Sequence, residues 1–210
     1  MTQNNKLWKK KSGVNIYGLV RAISKQCKDF TAVSIFKPWV ARHVYDKYLP
    51  SGGIIVDPCM GWGGRLLGTV DSKFVYKGFD LNPLAVESNK KMAEFIGSRI
   101  ITPEIAQGDS SLIDFPEGDL LFTSPPYDDC EHYYGIDSTK TKTAPILENI
   151  FSKFRGVIAL NVPKRQEELC KEIATKCGRT LIDRLEMKTA SFMGREKTYE
   201  PILVFQKVPV

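Results

Sequence analysis

Ser124-Pro125-Pro126-Tyr127 sets a hydroxyl, two residues without an N–H and an aromatic ring directly after the apolar run Leu120-Leu121-Phe122. Each proline fixes its own φ, and Pro125 also pushes Ser124 toward an extended backbone, so the turn is stiff before anything binds. Such a turn can aim a carbonyl at a substrate; the competing reading is a proline-rich turn that closes an ordinary strand. Upstream, Asp57-Pro58-Cys59-Met60-Gly61-Trp62-Gly63-Gly64 links the apolar run Ile54-Ile55-Val56 to Arg65-Leu66-Leu67. Glycines between a strand and a helix allow close backbone approach to a nucleotide-like ligand. The stretch lacks both the dinucleotide fingerprint and a Gly-Lys-Ser/Thr phosphate loop. Two further acids, Asp80 and Asp109, end apolar runs of their own. Asp80 follows Asp57 by 23 residues, about one helix plus one strand, and an acid so placed can accept hydrogen bonds from ribose hydroxyls. A capping aspartate ahead of a helix is the competing reading for Asp80.

The elements that must hold these residues alternate in type. Apolar residues at helical spacing run through Ile16, Leu19, Val20 and Ile23, and again through Val40, Val44, Tyr45, Tyr48 and Leu49, where Pro38 sits in a first turn. Strands are predicted at Gly53–Asp57, Phe74–Asp80, a segment ending near Ile105–Ser110, the run before Ser124, Gly156–Pro163, Thr180–Met187 and Pro201–Lys207. Asn82-Pro83 opens a helix whose apolar positions Leu84, Ala85, Met92, Phe95 and Ile96 are expected to face the sheet. Further helices are expected near Ile146–Phe154 and over Lys164–Lys176, while Asp128 to Pro145, with Tyr133 and Tyr134, reads as a long functional loop. Strand–helix repeats closing on two strands without a helix between them predict an α/β fold. The sheet would be Rossmann-like, seven-stranded and mostly parallel, with helices on both faces and a C-terminal antiparallel hairpin. Asp57, Asp80 and Asp109 would then share the carboxyl edge, where open α/β sheets bind ligands.

Ser-Pro-Pro-Tyr after an apolar strand, together with Asp-Pro-x-x-Gly-x-Gly, resembles the class I S-adenosylmethionine-dependent methyltransferases that act on exocyclic amino groups of nucleic-acid bases. The resemblance covers roughly residues 37–208 and implies S-adenosylmethionine as cofactor. Asp57 would face its methionine amino group, Gly61 and Gly63 would pass beneath it, and Asp109 would approach its adenine. Pro58, Cys59, Asp80 and Ser110 complete the implied cofactor-binding set. The implied catalytic set is Ser124, Pro125, Pro126 and Tyr127. An aromatic amine is a poor nucleophile because its lone pair is delocalised; the Ser124 oxygen and a proline carbonyl would accept its hydrogens while Tyr127 stacks on the extruded base. Serine at the first position leans toward N4 of cytosine over N6 of adenine in DNA. The order of the two motifs departs from many serine-type enzymes. Alternative functions are methylation of an RNA base amine, or a non-catalytic nucleic-acid-binding module on the same fold. Cytosine carbon-5 chemistry is disfavoured because Cys130 lacks a preceding proline and Cys59 belongs to the cofactor turn.

Composition sets the outer bounds. At 210 residues, 42% hydrophobic and 26% charged, the chain is long enough for one sizeable core. No apolar run nears the roughly 18 residues of a membrane span, and Met1 to Lys11 lacks the apolar segment of a signal peptide, so a cytoplasmic location is expected. Five irregularly spaced cysteines and two histidines support neither a disulfide framework nor a zinc site, and no metal is expected. The net charge of +6 is uneven: residues 1–50 hold ten basic and two acidic residues, leaving 20 and 22 for the rest. The division expected is therefore a basic, partly helical extension over 1–36 and a methyltransferase domain over 37–210. The extension fits a phosphate-binding arm or a merely solvated tail. The expected partner is nucleic acid, DNA ahead of RNA, with specificity borne by the arm or by a separate partner, since the longest unassigned insertion, the loop after Tyr127, is short.

Overall fold

Seven strands form one sheet in the order β3-β2-β1-β4-β5-β7-β6, in a computed structural model that describes residues 35–126, 142–188 and 199–208. Helix α1 (Pro38–Tyr48) carries proline in its first turn, where the missing N–H breaks no intrahelical bond. Strand β1 (Gly53–Asp57) leads through the glycine turn into α2 (Gly64–Leu67), which is a single turn. Then come β2 (Phe74–Asp80), α3 (Pro83–Ile96), β3 (Glu104–Gln107), β4 (Leu120–Thr123), α4 (Thr143–Lys153) and β5 (Val157–Asn161). A 3-10 turn at Lys164–Gln166 feeds α5 (Glu167–Lys176), and β6 (Arg179–Lys188) and β7 (Tyr199–Lys207) close the sheet. β1 to β5 are parallel; β7 runs antiparallel to both β5 and β6.

The pleat sorts the strand residues between two cores. Leu120 and Phe122 of β4, Ala159 of β5 and Ile202 and Val204 of β7 face α1 and α3. Their neighbours Leu121, Ile158, Leu160, Leu203 and Phe205 face α4 and α5. Burial on both faces explains why these strands read as continuous apolar runs. The expected fold is therefore the fold observed, with helices on both faces and the C-terminal hairpin.

Several local expectations need correction. The buried stripe of α3 is Ala85, Val86 and Asn89, with Met92, Ala93 and Ile96 partly buried. Leu84 and Phe95 point outward, at 64% and 91% exposure; helical period, not apolar type, selects the face. β3 stops at Gln107, so Asp109 lies two residues beyond the strand. The predicted loop ends earlier than Pro145, because α4 already begins at Thr143. The helix through Ile16–Ile23, the arm, Tyr127, Cys130, Tyr133 and Tyr134 lie outside the described residues.

Candidate active site

β1 pairs with β2 on one side and β4 on the other, so the winding of the sheet reverses between β1 and β4. The crevice at the carboxyl ends of such a pair is the usual ligand site of an open α/β sheet. Asp57 ends β1 and Ser124 follows β4, one on each flank of the crevice.

Asp57 is fully buried and its two oxygens serve the protein. Oδ2 accepts from Arg65 Nε at 2.7 Å and from the Tyr76 hydroxyl at 2.6 Å, and Oδ1 accepts from the Thr123 hydroxyl at 2.8 Å. Asp57 thus meets Arg65, Tyr76 and Thr123 where the family resemblance would set a methionine ammonium. Burial works against the charge on Arg65, but the Asp57 carboxylate outweighs it and holds the guanidinium protonated. Burial, reinforced by the Asp57 charge, pushes the Tyr76 hydroxyl well above its usual range, so it stays a donor.

The glycine turn is held from several directions. Asp80 Oδ2 accepts from the Gly61 N–H at 2.8 Å and its Oδ1 from the Asn82 N–H at 2.9 Å. Burial raises the Asp80 carboxyl above its ordinary value, partly offset by those two N–H groups. Asn89 donates to the Gly61 carbonyl at 2.7 Å. Gly61 and Gly63 both have positive φ, +54° and +82°, yet for different purposes. A Cβ on Gly61 would meet nothing within 4 Å, whereas one on Gly63 would stand 2.5 Å from Asn89 Oδ1 and 2.9 Å from Met92 Cε. Gly61 keeps a space open; Gly63 lets the turn pack on α3.

Pro58 is buried, and its carbonyl accepts from the buried Ser110 hydroxyl. Cys59 lies beside Ser110 (Sγ to Oγ 3.3 Å), its N–H donates to Thr123 Oγ1 at 3.1 Å, and burial pushes its thiol up to about 12. Asp109 closes its own turn, accepting from the Ser111 N–H at 3.0 Å and the Ser111 hydroxyl at 2.6 Å. Ser110 and Asp109 therefore reach the same edge as Asp57 and Asp80.

Across the crevice, the Ser124 hydroxyl donates to Asn161 Oδ1 at 3.1 Å and accepts from Arg65 Nη1 at 3.2 Å. The Pro126 carbonyl accepts from Thr143 at the start of α4 at 2.6 Å, and Thr143 in turn accepts from Gln166 at 3.1 Å. The Pro125 carbonyl has no partner among the described residues. Arg65, Tyr76, Asn89, Thr123 and Asn161 were not singled out from sequence. A lone cation in Gly64-Arg65-Leu66-Leu67, and a polar residue ending the apolar run before Asn161, were the available signals. For Tyr76 and Thr123 only the three-dimensional pairing of β2 and β4 with β1 gives the contact.

No family model matches the chain, and no curated protein is significantly similar to it. Solved structures do match in fold. Magnesium protoporphyrin IX methyltransferase from Synechocystis, crystallised with bound S-adenosylmethionine, aligns over 95% of this chain and 100% of its own at 12% identity and a TM-score of 0.63. A methyltransferase from Pyrococcus furiosus aligns over 92% and 99% at 17% identity, TM-score 0.60. A candidate RNA methyltransferase from Pyrococcus horikoshii aligns over 82% and 81% at 17% identity, TM-score 0.57. At these identities the likeness is one of fold: the chain has the Rossmann-like architecture of S-adenosylmethionine-dependent methyltransferases.

Proposed function

We propose that the protein is an S-adenosylmethionine-dependent methyltransferase that modifies an exocyclic amino group of a base in DNA, N4 of cytosine ahead of N6 of adenine. The observation that carries this reading is the turn after β4, where the Ser124 hydroxyl, bonded to Asn161 and Arg65, is followed by a Pro125 carbonyl with no partner among the described residues, across the crevice from Asp57. The residues present fit the cofactor: Gly61 leaves room, and Asp80 stands at the tip of β2 with its carboxylate already fixing the turn. Gly61, Asp80 and Asp109 would hold the cofactor, which when bound supplies an electrophilic methyl group on a positively charged sulfur.

The chain's own part is to make an amine nucleophilic. The remaining Ser124 lone pair and the Pro125 carbonyl accept the two amine hydrogens, drawing the nitrogen toward a tetrahedral shape whose lone pair is free of the ring. No strongly basic side chain is needed, because the amine loses its proton readily after attack. Tyr127, two residues past Pro125, would stack on the extruded base, and the basic arm would supply phosphate contacts.

A second reading, methylation of an RNA base amine, is favoured by the candidate RNA methyltransferase among the structural relatives. Incubation of the protein with labelled cofactor and either DNA or RNA, followed by digestion to nucleosides, separates the two by the identity of the labelled product. Label in no nucleoside would overturn both. Ser124→Ala is expected to slow single-turnover transfer roughly 10- to 100-fold, the scale of one hydrogen bond to a group gaining charge, with cofactor affinity kept. Tyr127→Ala is expected to weaken substrate engagement by about 1–3 kcal/mol, with Tyr127→Phe much milder.

A further inference from the structure

Arg65 touches both flanks of the crevice. Its Nε donates to Asp57 at 2.7 Å, its Nη2 to the Cys59 carbonyl, and its Nη1 to Ser124 Oγ at 3.2 Å. The guanidinium stacks over Phe36 at 5.2 Å, and the Arg65 backbone carbonyl accepts from the Tyr45 hydroxyl at 2.9 Å. With 3% of the residue exposed, the Arg65 side chain is not free to swing into solvent.

A serine hydroxyl has one hydrogen and two lone pairs. The hydrogen of Ser124 goes to Asn161 Oδ1, and the orientation of that amide is fixed because Asn161 Nδ2 donates to the Pro201 carbonyl at 3.1 Å. Arg65 takes one lone pair. A single lone pair remains, and its direction is set by the other two bonds.

We propose that Arg65 is a positioning residue: through its Nη1 bond it fixes the Ser124 hydroxyl so that the one remaining lone pair faces the target amine. The inference rests on the amine-methylation reading given above. It assigns Arg65 a second task besides neutralising Asp57. The neutralisation also serves the reaction, since a positive charge develops on the amine nitrogen and an unbalanced guanidinium nearby would oppose it. Lysine could balance Asp57, but a single ammonium cannot reproduce a planar fork that reaches three acceptors at the ends of two strands.

The test is a double-mutant cycle on single-turnover methyl transfer, comparing the wild type, Arg65→Lys, Ser124→Ala and the double variant. Cofactor affinity and thermal stability are followed in all four. Arg65→Lys is expected to slow transfer on the order of tenfold, the effect of losing one oriented hydrogen bond. In the Ser124→Ala background the same change should leave the rate unaltered, while it lowers thermal stability equally in both backgrounds. Equal slowing in both backgrounds would show that Arg65 acts through the cofactor loop; that overturns the proposal and leaves amine methylation standing. Absence of transfer by the wild type to any base overturns both.

Should Arg65→Lys not fold, the pair Asp57→Asn with Arg65→Met removes both charges together and leaves neither unpaired; the same non-additivity with Ser124→Ala is expected. A readout independent of turnover is the cofactor-free crystal structure of the folded Arg65 variant. Ser124 is expected to populate a second rotamer there, and a Ser124 unchanged in position would overturn the proposal whatever the rates.

Discussion

The two halves of the carboxyl edge are held by opposite means. At the tips of β1 and β2 and just past β3, the chain uses carboxylates: Asp57 takes three side-chain donors, Asp80 two backbone N–H groups, and Asp109 the N–H and hydroxyl of Ser111. At the tips of β4 and β5 it uses prolines and neutral polar groups: Ser124-Pro125-Pro126 and Asn161-Val162-Pro163. Acids are acceptors that can gather several N–H groups and so freeze a glycine turn. Prolines lack a donor of their own and stiffen the chain without filling the neighbouring carbonyls. The first half is satisfied before a ligand arrives; in the second, an acceptor, the Pro125 carbonyl, has no partner among the described residues.

The largest effect expected from breaking this contrast lies at the Asp57–Arg65 pair. Arg65→Met leaves a fully buried carboxylate without its cation, and removal of one partner of a buried pair costs about 3–5 kcal/mol. Removing both charges, with Asp57→Asn added, should recover most of that loss. Denaturant unfolding of the three proteins checks this; a single variant as stable as the wild type would mean that Asp57 is not internal to the fold.

The contrast sharpens at the two glycines. Both Gly61→Ala and Gly63→Ala carry the penalty for positive φ, roughly 1–2 kcal/mol. Gly63→Ala adds a clash with Asn89 and Met92, so it should be the less stable of the two. Gly61→Ala should instead lower cofactor affinity, because its methyl enters open space. Calorimetric binding and melting of the two variants should therefore diverge in opposite directions; loss of binding without loss of stability at Gly63 would reverse the assignment.

These differences mark what the sequence could tell and what it could not. The order of strands and helices was legible because β1, β4, β5 and β7 are apolar runs that end at polar residues, whereas the exposed β3 and the alternating β6 carry a weaker signal. Asp80 at the tip of β2 followed from the run Phe74–Asp80 and its spacing from Asp57. The internal use of Asp57 was not legible, since Tyr76 and Thr123 reach it from neighbouring strands and Arg65 from eight residues on. Phe95 misled for the converse reason: an apolar side chain says nothing of which way its helix faces.

A smaller effect concerns pH. Ionised Asp80 accepts from Gly61 and Asn82 and is the form suited to ribose hydroxyls. Because burial raises its pKa, it takes up a proton above the ordinary aspartate value of about 3.9. Cofactor affinity should thus weaken as the pH falls, starting above that value, and Asp80→Asn should bind more weakly but without this dependence. The linkage to stability has the opposite sign: a raised folded pKa gives stability that is present at low pH and lost as the pH rises through it. Loss of affinity in acid therefore cannot be unfolding caused by this group, and a binding curve flat with pH in the wild type would remove Asp80 from the cofactor site.

The smallest expected effect is on salt dependence. Lys142 precedes α4 and Lys164 follows β5, so both exposed lysines stand on the half of the edge that ends in prolines, where no acid ends a strand. If a phosphate backbone lies along that half, each contact releases a counterion and contributes about 0.9 to the slope of log affinity against log salt on duplex DNA. Lys142→Gln with Lys164→Gln should then flatten the slope by less than about 2 and leave the single-turnover rate unchanged. Deletion of residues 1–13, which hold four lysines, should flatten it more. Binding titrations over a range of salt concentrations measure both. An unaltered slope in the double lysine variant would take this half of the edge out of contact with phosphate and leave the arm as the source of the electrostatic affinity. An unaltered slope after the deletion would make the arm a solvated tail and the edge itself the surface to which nucleic acid binds.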